Sequence, residues 1–419
     1  MVVFFFSDYQ IPTFATNFLA MLSKSREELL ILLLALVNFT NIIDFMVLMP
    51  LGPQINRVFH LDPQSWSMLV ASYSLAAAFS GVASVFYIDK IDRKKMLLLS
   101  YIGFTVATLV CGLSHTHTML LIARGLAGVF GGISGAIILT IVGDVVAPER
   151  RGRAVGIVMA GFSTAAALGV PIGIYFGAKF GWNMPFLAVS ALSCLVTVLL
   201  IIYVPSVNGH LAKTKEERIK TWDVLTALAK DPNVRNALVF SSLLVFGQFM
   251  IIPFVSPYLV ANLGFSEQDL TYLYLFGGGA SIFTSPLIGK LADRYGKYKV
   301  LLIVSFISFI PILLLTHLHT TSILVVLLVT TTFFIFSGGR NVPAMALTVS
   351  VAKPEMRGVY MSVRSGIQQL VSALAAMVSG AIVTKGLDGS FNHYNYVGIL
   401  SVVIAGLALW VGKSIKSNY

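Results

Sequence analysis

G-K-L-A-D-R-Y-G-K-Y-K, residues 289–299, stands between two long apolar runs and packs five charges and two glycines into eleven residues. A charged stretch this short, wedged between membrane-length apolar segments, reads as a turn joining two transmembrane helices. Its glycines let the backbone turn tightly and let helices approach closely. A second charged turn, D-K-I-D-R-K at residues 89–94, lies 204 residues earlier. Other echoes keep nearly the same offset. His115 and His117 match His317 and His319, Gly131-Gly132 match Gly338-Gly339, and P-E-R-R-G at 148–152 matches P-E-M-R-G at 354–358. Echoes in register argue for two homologous halves, the usual construction of secondary transporters.

Composition narrows the class. A chain of 419 residues with 57% hydrophobic and 11% charged residues is no soluble domain. Its apolar runs exceed the roughly 18 residues that mark a membrane helix. We place twelve transmembrane helices at 29–51, 66–88, 95–114, 118–146, 153–178, 182–204, 236–261, 269–289, 299–317, 320–350, 357–384 and 393–413. That gives an all-α membrane protein of two pseudo-symmetric six-helix bundles, 29–204 and 236–413. Residues 1–28 and 414–419 are tails, and 205–235 is a polar linker carrying a short amphipathic helix. Cys111 and Cys194 both fall in apolar runs and read as small buried residues.

The net charge of +11 invites a nucleic-acid reading, and its distribution excludes one. All but six of the 29 lysines and arginines fall in the tails, in the even-numbered loops or at the helix ends that adjoin them. This is the positive-inside pattern, with both termini cytoplasmic in a multi-pass inner (plasma) membrane protein. The charge marks orientation in a lipid bilayer. At the N-terminal end, no basic residue precedes Phe4-Phe5-Phe6, so the stretch fits a signal peptide poorly. Either Met21 is the true start or residues 1–20 are an ordinary tail.

With these residues in view, the chain resembles the major facilitator superfamily. Gly289, Leu291, Asp293, Arg294, Gly296 and Lys297 match its G-x-L-x-D-R-x-G-R/K signature, placed after the eighth helix. The first-half copy keeps Asp89 and Arg93 but has Val85 and Asp92 in place of the glycines. D-F-M-V-L-M-P-L-G-P at 44–53 resembles helix one of the drug:proton antiporter branch, and Arg124 with Gly128 resembles its R-x-x-x-G proton-coupling element. On helix five, Val170 interrupts the match to the antiporter glycine-proline motif, which leaves an arabinose-efflux-like or other solute-efflux relative open. The resemblance implies two charged latches. Asp293, beside Arg294, would approach Arg150, Arg151 and Arg153 at the start of helix five. Asp89, beside Arg93, would approach Arg357 at the start of helix eleven.

Polar residues inside apolar helices mark the candidate site. Asn38, Asn41 and Asp44 lie on one arc of roughly 120° on helix one, which must face the bundle interior or water. Arg124 sits too deep to snorkel, so a carboxylate, backbone carbonyls or water must offset its charge. Asp44 is the choice for the proton site, with Arg124 as its coupling partner. Gln248, Phe249, Arg340 and Asn341 are assigned to the substrate cavity, as are Tyr73 and Gln368, each of which packing alone would also explain. Arg364 lies near enough to a helix end to snorkel. Pro253 and Pro257 suggest a broken seventh helix near a moving gate.

The reading is a secondary active transporter, monomeric, exporting a small amphipathic or drug-like molecule against protons by alternating access. The alternative is an uncoupled or differently coupled transporter of a sugar, metabolite or lysolipid. No nucleophile–base pair, P-loop or clustered metal ligand supports an enzyme, a cofactor or a metal. The histidine pairs sit in separate external loops with no acid beside them.

Overall fold

The structure, a computed structural model, describes residues 13–84, 86–208, 221–319, 321–352 and 356–416. The chain is a multi-pass, almost wholly helical membrane protein. Among the described residues, eleven helical segments are long and apolar enough to cross a bilayer. The remaining span is α11 (Glu267–Tyr295), whose 29 residues are ample at about 1.5 Å each. Gly277, Gly278, Gly279, Ser281 and Thr284 dilute its apolar content.

The first half comprises α1 (Thr13–Val47), the short α2 (Gly52–Phe59), α3 (Pro63–Ser84), α4 (Arg93–Gly112), α5 (His117–Val145), the fifth span and α8 (Met184–Tyr203). Pro50 lies in the turn between α1 and α2, and Pro53 sits in the first turn of α2, where a helical donor is not needed. The fifth span is α6 (Pro148–Thr164), a π-helical segment Ala165–Gly169, and α7 (Val170–Phe180). Within the linker, α9 (Thr221–Lys230) buries Leu228 against the second half. The second half holds α10 (Pro232–Leu263), α11, α12 (Lys297–Thr316), the tenth span, α15 (Arg357–Ile382) and α16 (Tyr394–Gly412). The tenth span is α13 (Ile323–Phe333), a π-helical segment Phe334–Gly338, and α14 (Asn341–Val349). A small hairpin, β1 (Thr384–Lys385) with β2 (Phe391–Asn392), tops the second half.

Several expectations need correction. The seventh span is one continuous helix that contains Pro253 and Pro257, not a broken one. The signature stretch is mostly helix: α11 runs through Asp293 to Tyr295, and Gly296 alone makes the turn at φ +99°, which favours glycine. Cys194 is exposed on α8 and faces outward with Leu195, while Cys111 is buried. Arg364 does not snorkel; it is 9% exposed. Residues 1–12, the basic opening of the linker, and the side chains of Asp89 and Arg357 lie outside the described residues.

The core divides unequally. We call the face where α1 begins and α16 ends the terminal face, and the opposite one the far face. Toward the far face a single apolar cluster joins the halves, with Val47, Trp66 and Phe186 packed alongside Phe254, Tyr258 and Tyr394. Toward the terminal face each half keeps its own cluster, one around Leu97, Ile141 and Leu200, the other around Phe240, Leu301 and Leu347. The halves are therefore sealed to one another on the far side.

Candidate functional site

The buried centre of the first half is an ion pair. Arg124 Nη1 donates to Asp44 Oδ2 at 2.7 Å, and neither side chain has any solvent exposure. The same nitrogen also donates to the Asp44 carbonyl at 3.0 Å. Thr108 Oγ1 donates to Asp44 Oδ1 at 3.2 Å. Asp44, Arg124 and Thr108 come from α1, α5 and α4, so three helices converge on one carboxylate. A charge at membrane depth is costly unless compensated, and each partner here compensates the other. Arg124 Nε and Nη2 have no hydrogen-bond partner among the described residues.

Close helix packing makes the pair possible. A Cβ on Gly128 would sit 2.2 Å from the Tyr73 carbonyl, and one on Gly131 would sit 2.3 Å from the Tyr73 hydroxyl. Glycine at both positions lets α5 press against α3. Tyr73 then lies beneath the guanidinium, with Arg124 Cζ 4.7 Å from its ring centroid. Phe186 faces the same cation at 5.9 Å. Such stacking adds attraction when the cation is desolvated.

An aromatic chain leads from this pair to the other half. Tyr73 and Phe45 have ring centroids 5.3 Å apart, and Phe45 and Phe249 are 6.1 Å apart. Beyond Phe249 on α10, Gln248 Oε1 accepts from Asn341 Nδ2 at 3.0 Å. Asn341 is exposed and Gln248 half-buried, so this amide pair lines open space between the halves. Gln368 is also half-buried, on α15.

Other expected cavity residues stand elsewhere. Asn38 donates to the Val158 carbonyl at 2.9 Å and ties α1 to α6. Asn41 is buried, and both its amide atoms lack a partner among the described residues. Arg340 is wholly buried and turned toward α12, where Ser308 Oγ lies 3.5 Å from Nη1.

The charged turns hold their own halves together. Arg93 pairs with Asp144 at 2.9 Å and donates to the Ile88 carbonyl, which fixes the α3–α4 turn to the end of α5. Arg294 lies over the Tyr295 ring. Arg150 pairs with Glu27 at 2.9 Å, Arg153 lies 3.7 Å from Glu28, and Arg151 donates to the Val146 carbonyl. Asp293 is exposed and pairs with none of these arginines among the described residues. Among the described residues, a charged contact between the halves lies on the far face, where Arg57 and Gln54 both donate to Glu267. Beside it, Trp66 Nε1 donates to the Pro253 carbonyl at 2.9 Å.

Thr108, Phe45, Phe186, Trp66 and Glu267 were not singled out in the sequence. Threonine, phenylalanine and tryptophan in apolar runs read as packing. Glu267 reads as a first-turn acid of α11, where it favours the helix N-terminus.

The chain belongs to the major facilitator superfamily: the model of that family matches residues 34–376 and, separately, 239–414. This is a family of membrane transporters. A relative in Bacillus subtilis (strain 168), the uncharacterized MFS-type transporter YbcL, is 22% identical over 383 residues, which cover 91% of this chain and 95% of the relative. Among solved structures, a bacterial homologue of the human lysosomal transporter Spinster, inward-facing and unoccupied, superposes with a TM-score of 0.75 at 17% identity, covering 93% of this chain and 98% of that one. A D-xylose–proton symporter gives 0.75 at 17% identity, over 92% and 97%. The nucleoside transporter NupG gives 0.73 at 14% identity, over 92% and 99%. At these identities the likeness establishes the fold.

Proposed function

We propose that this chain is a proton-coupled exporter of a small amphipathic solute, working by alternating access in the plasma membrane with both termini cytoplasmic. One observation carries the coupling: the fully buried Asp44–Arg124 pair, linked to the cavity through Tyr73, Phe45 and Phe249. A carboxylate removed from water favours its protonated form, and one beside a guanidinium favours its charged form. Protonating Asp44 would dissolve the ion pair and free Arg124 to turn in its packing against Tyr73. A shift of Tyr73 would pass through Phe45 to Phe249, the wall of the cavity. Proton and solute would then favour opposite states of one transporter, which is the thermodynamic requirement for antiport.

The orientation rests on the positive-inside distribution of Lys and Arg. On that orientation the far face is external and sealed, and the terminal face is cytoplasmic. Asp293 and the arginines of α6 would then meet only in the opposite state, when the cytoplasmic side closes.

The test is pH-gradient-driven transport in proteoliposomes, with a panel of cationic, neutral and anionic amphiphiles. Uphill movement that collapses with a protonophore, and that Asp44→Asn abolishes, is the expected result. Uphill export by Asp44→Asn at the native rate would place the proton elsewhere.

A further inference from the structure

The tenth span carries a buried arginine next to a cavity residue, just downstream of a π-helical segment. Arg340 has no solvent exposure, and its Nε and Nη2 have no hydrogen-bond partner among the described residues. Its nearest polar contact, Ser308 at 3.5 Å, is a neutral hydroxyl, and no carboxylate pairs with it among the described residues. The buried hydroxyls of Ser305 on α12 and Ser337 on the tenth span are likewise unpartnered. Among the described residues this leaves a positive charge at membrane depth without a counter-charge, which is expensive in any fixed state. An arrangement of that kind is expected of a residue that is used in another state.

The π-helical segment supplies the means. Phe334–Gly338 ends two residues before Arg340. A π-helix holds about one residue more per turn than an α-helix and occurs mostly as single-turn bulges at functional sites. When such a turn relaxes to α, everything downstream rotates by about one residue, or roughly 100°. The sense of the rotation carries each residue to the angular position its successor held. Arg340 would move to where Asn341 now stands, facing the cavity beside Gln248. The downstream piece, α14, is only nine residues long, so little structure has to turn. A Cβ at position 339 would meet Ile288 at 2.4 Å, and the rotation brings Gly338, which also lacks a Cβ, into that place.

We propose that relaxation of the π-helical segment Phe334–Gly338 swings Arg340 into the central cavity, where it binds an oxyanion on the transported solute. This rests on reading the space between the halves as the solute path. It narrows the solute to an amphiphile with an acidic head: guanidinium recognises carboxylate or phosphate, and Phe249 and Phe45 take the apolar part. The anion supplies the counter-charge that Arg340 lacks, so binding and relaxation reinforce one another.

Rotation changes which residues of α14 are exposed, and this can be read directly. Met345 is 42% exposed and Ala344 is 4% exposed. Ala344→Cys and Met345→Cys are made separately in a chain carrying Cys111→Ala and Cys194→Ala, and reconstituted in nanodiscs without a pH gradient. Labelling by a water-soluble maleimide is followed with decyl phosphate or decyltrimethylammonium as the probe. Decyl phosphate should speed labelling at position 344, which moves to the exposed place of Met345, by roughly tenfold, and slow it to a smaller extent at position 345, which moves to the half-buried place of Ala346. Decyltrimethylammonium should do neither, and Arg340→Gln should remove the response. Unchanged rates with decyl phosphate, or equal responses to both probes, would overturn the proposal. Both cysteine reporters keep Arg340, so the result stands even where Arg340→Gln fails to fold. Because no gradient is present, the outcome is independent of whether Asp44 carries the proton.

Discussion

Asp44 Oδ2 and Arg124 Nη1 lie 2.7 Å apart, on the first and fourth spans of the first bundle, and water reaches neither side chain. Removing one partner of such a pair leaves the other charge buried and alone. Asp44→Ala and Arg124→Ala should each destabilise the folded protein by about 3–5 kcal/mol, read as a lower Tm in detergent. The double variant should recover part of that loss. Equal Tm values for wild type and both single variants would show that the pair does not hold the bundle. In proteoliposomes Arg124→Lys should keep more coupling than Arg124→Ala, since it keeps the charge and loses only the forked geometry.

The glycines of α5 give a stability test confined to packing. Gly128→Ala would drive a methyl group into the rigid Tyr73 carbonyl, at 2.2 Å before relaxation. The expected loss is about 1–3 kcal/mol, together with displacement of Tyr73 from Arg124. Gly135 has nothing within 4 Å of the same added atom. Gly135→Ala should therefore be neutral or stabilising, by up to about 1 kcal/mol from helix propensity. Thermal melts of the two variants side by side decide the matter, and equal shifts would contradict the packing account.

On the far face, Glu267 ties α11 to Arg57 and Gln54 across the two halves. Arg57 is two-thirds exposed, so the ion pair contributes no more than about 1 kcal/mol and weakens with salt. Glu267→Gln should raise the population open on the far face several-fold. Spin labels at Val58 and Gln268 should report this as added long distances, with a smaller effect at high salt. An unchanged distance distribution would remove Glu267 from the gate.

The opposite latch makes the converse prediction. Asp293 is exposed here, and Arg150 and Arg153 are engaged with Glu27 and Glu28. When the far face opens, Asp293 should approach the start of α6, where both arginines and the helix N-terminus favour a carboxylate. Labels at Lys290 and Gly152 should then draw together, and Asp293→Asn should reduce that population. Distances indifferent to Asp293→Asn would count against the latch.

Orientation is checked by cysteine accessibility on cells. Residues 114–118 and 262–266 should label from outside, and residues 90–95 only after permeabilisation. The reverse pattern would invert every assignment of inside and outside made from the positive charges.

What the amino-acid sequence determines here is what depends on local chemistry or on counting along one chain. Hydropathy sets the spans, because lipid leaves a backbone no other partner than its own helix. The repeated turns, the echo of P-E-R-R-G in P-E-M-R-G, and the basic even-numbered loops argue for two halves and predict an orientation. Asp44 and Arg124 stand out because charge in an apolar run needs a reason. What the tertiary structure decides is who meets whom. Nothing in the spacing of 44, 108 and 124 says that three helices aim at one point; that depends on helix rotation and on the close α3–α5 contact permitted by Gly128 and Gly131. Adjacent in sequence, Arg340 and Asn341 look like one cavity motif. Successive helical residues point about 100° apart, and the π-helical turn before them sets which one faces the cavity, so Asn341 meets Gln248 while Arg340 turns to Ser308. Sealing on the far face through Glu267 and Trp66 is a property of how two bundles lean on each other, and a single chain's periodicity carries no record of that angle.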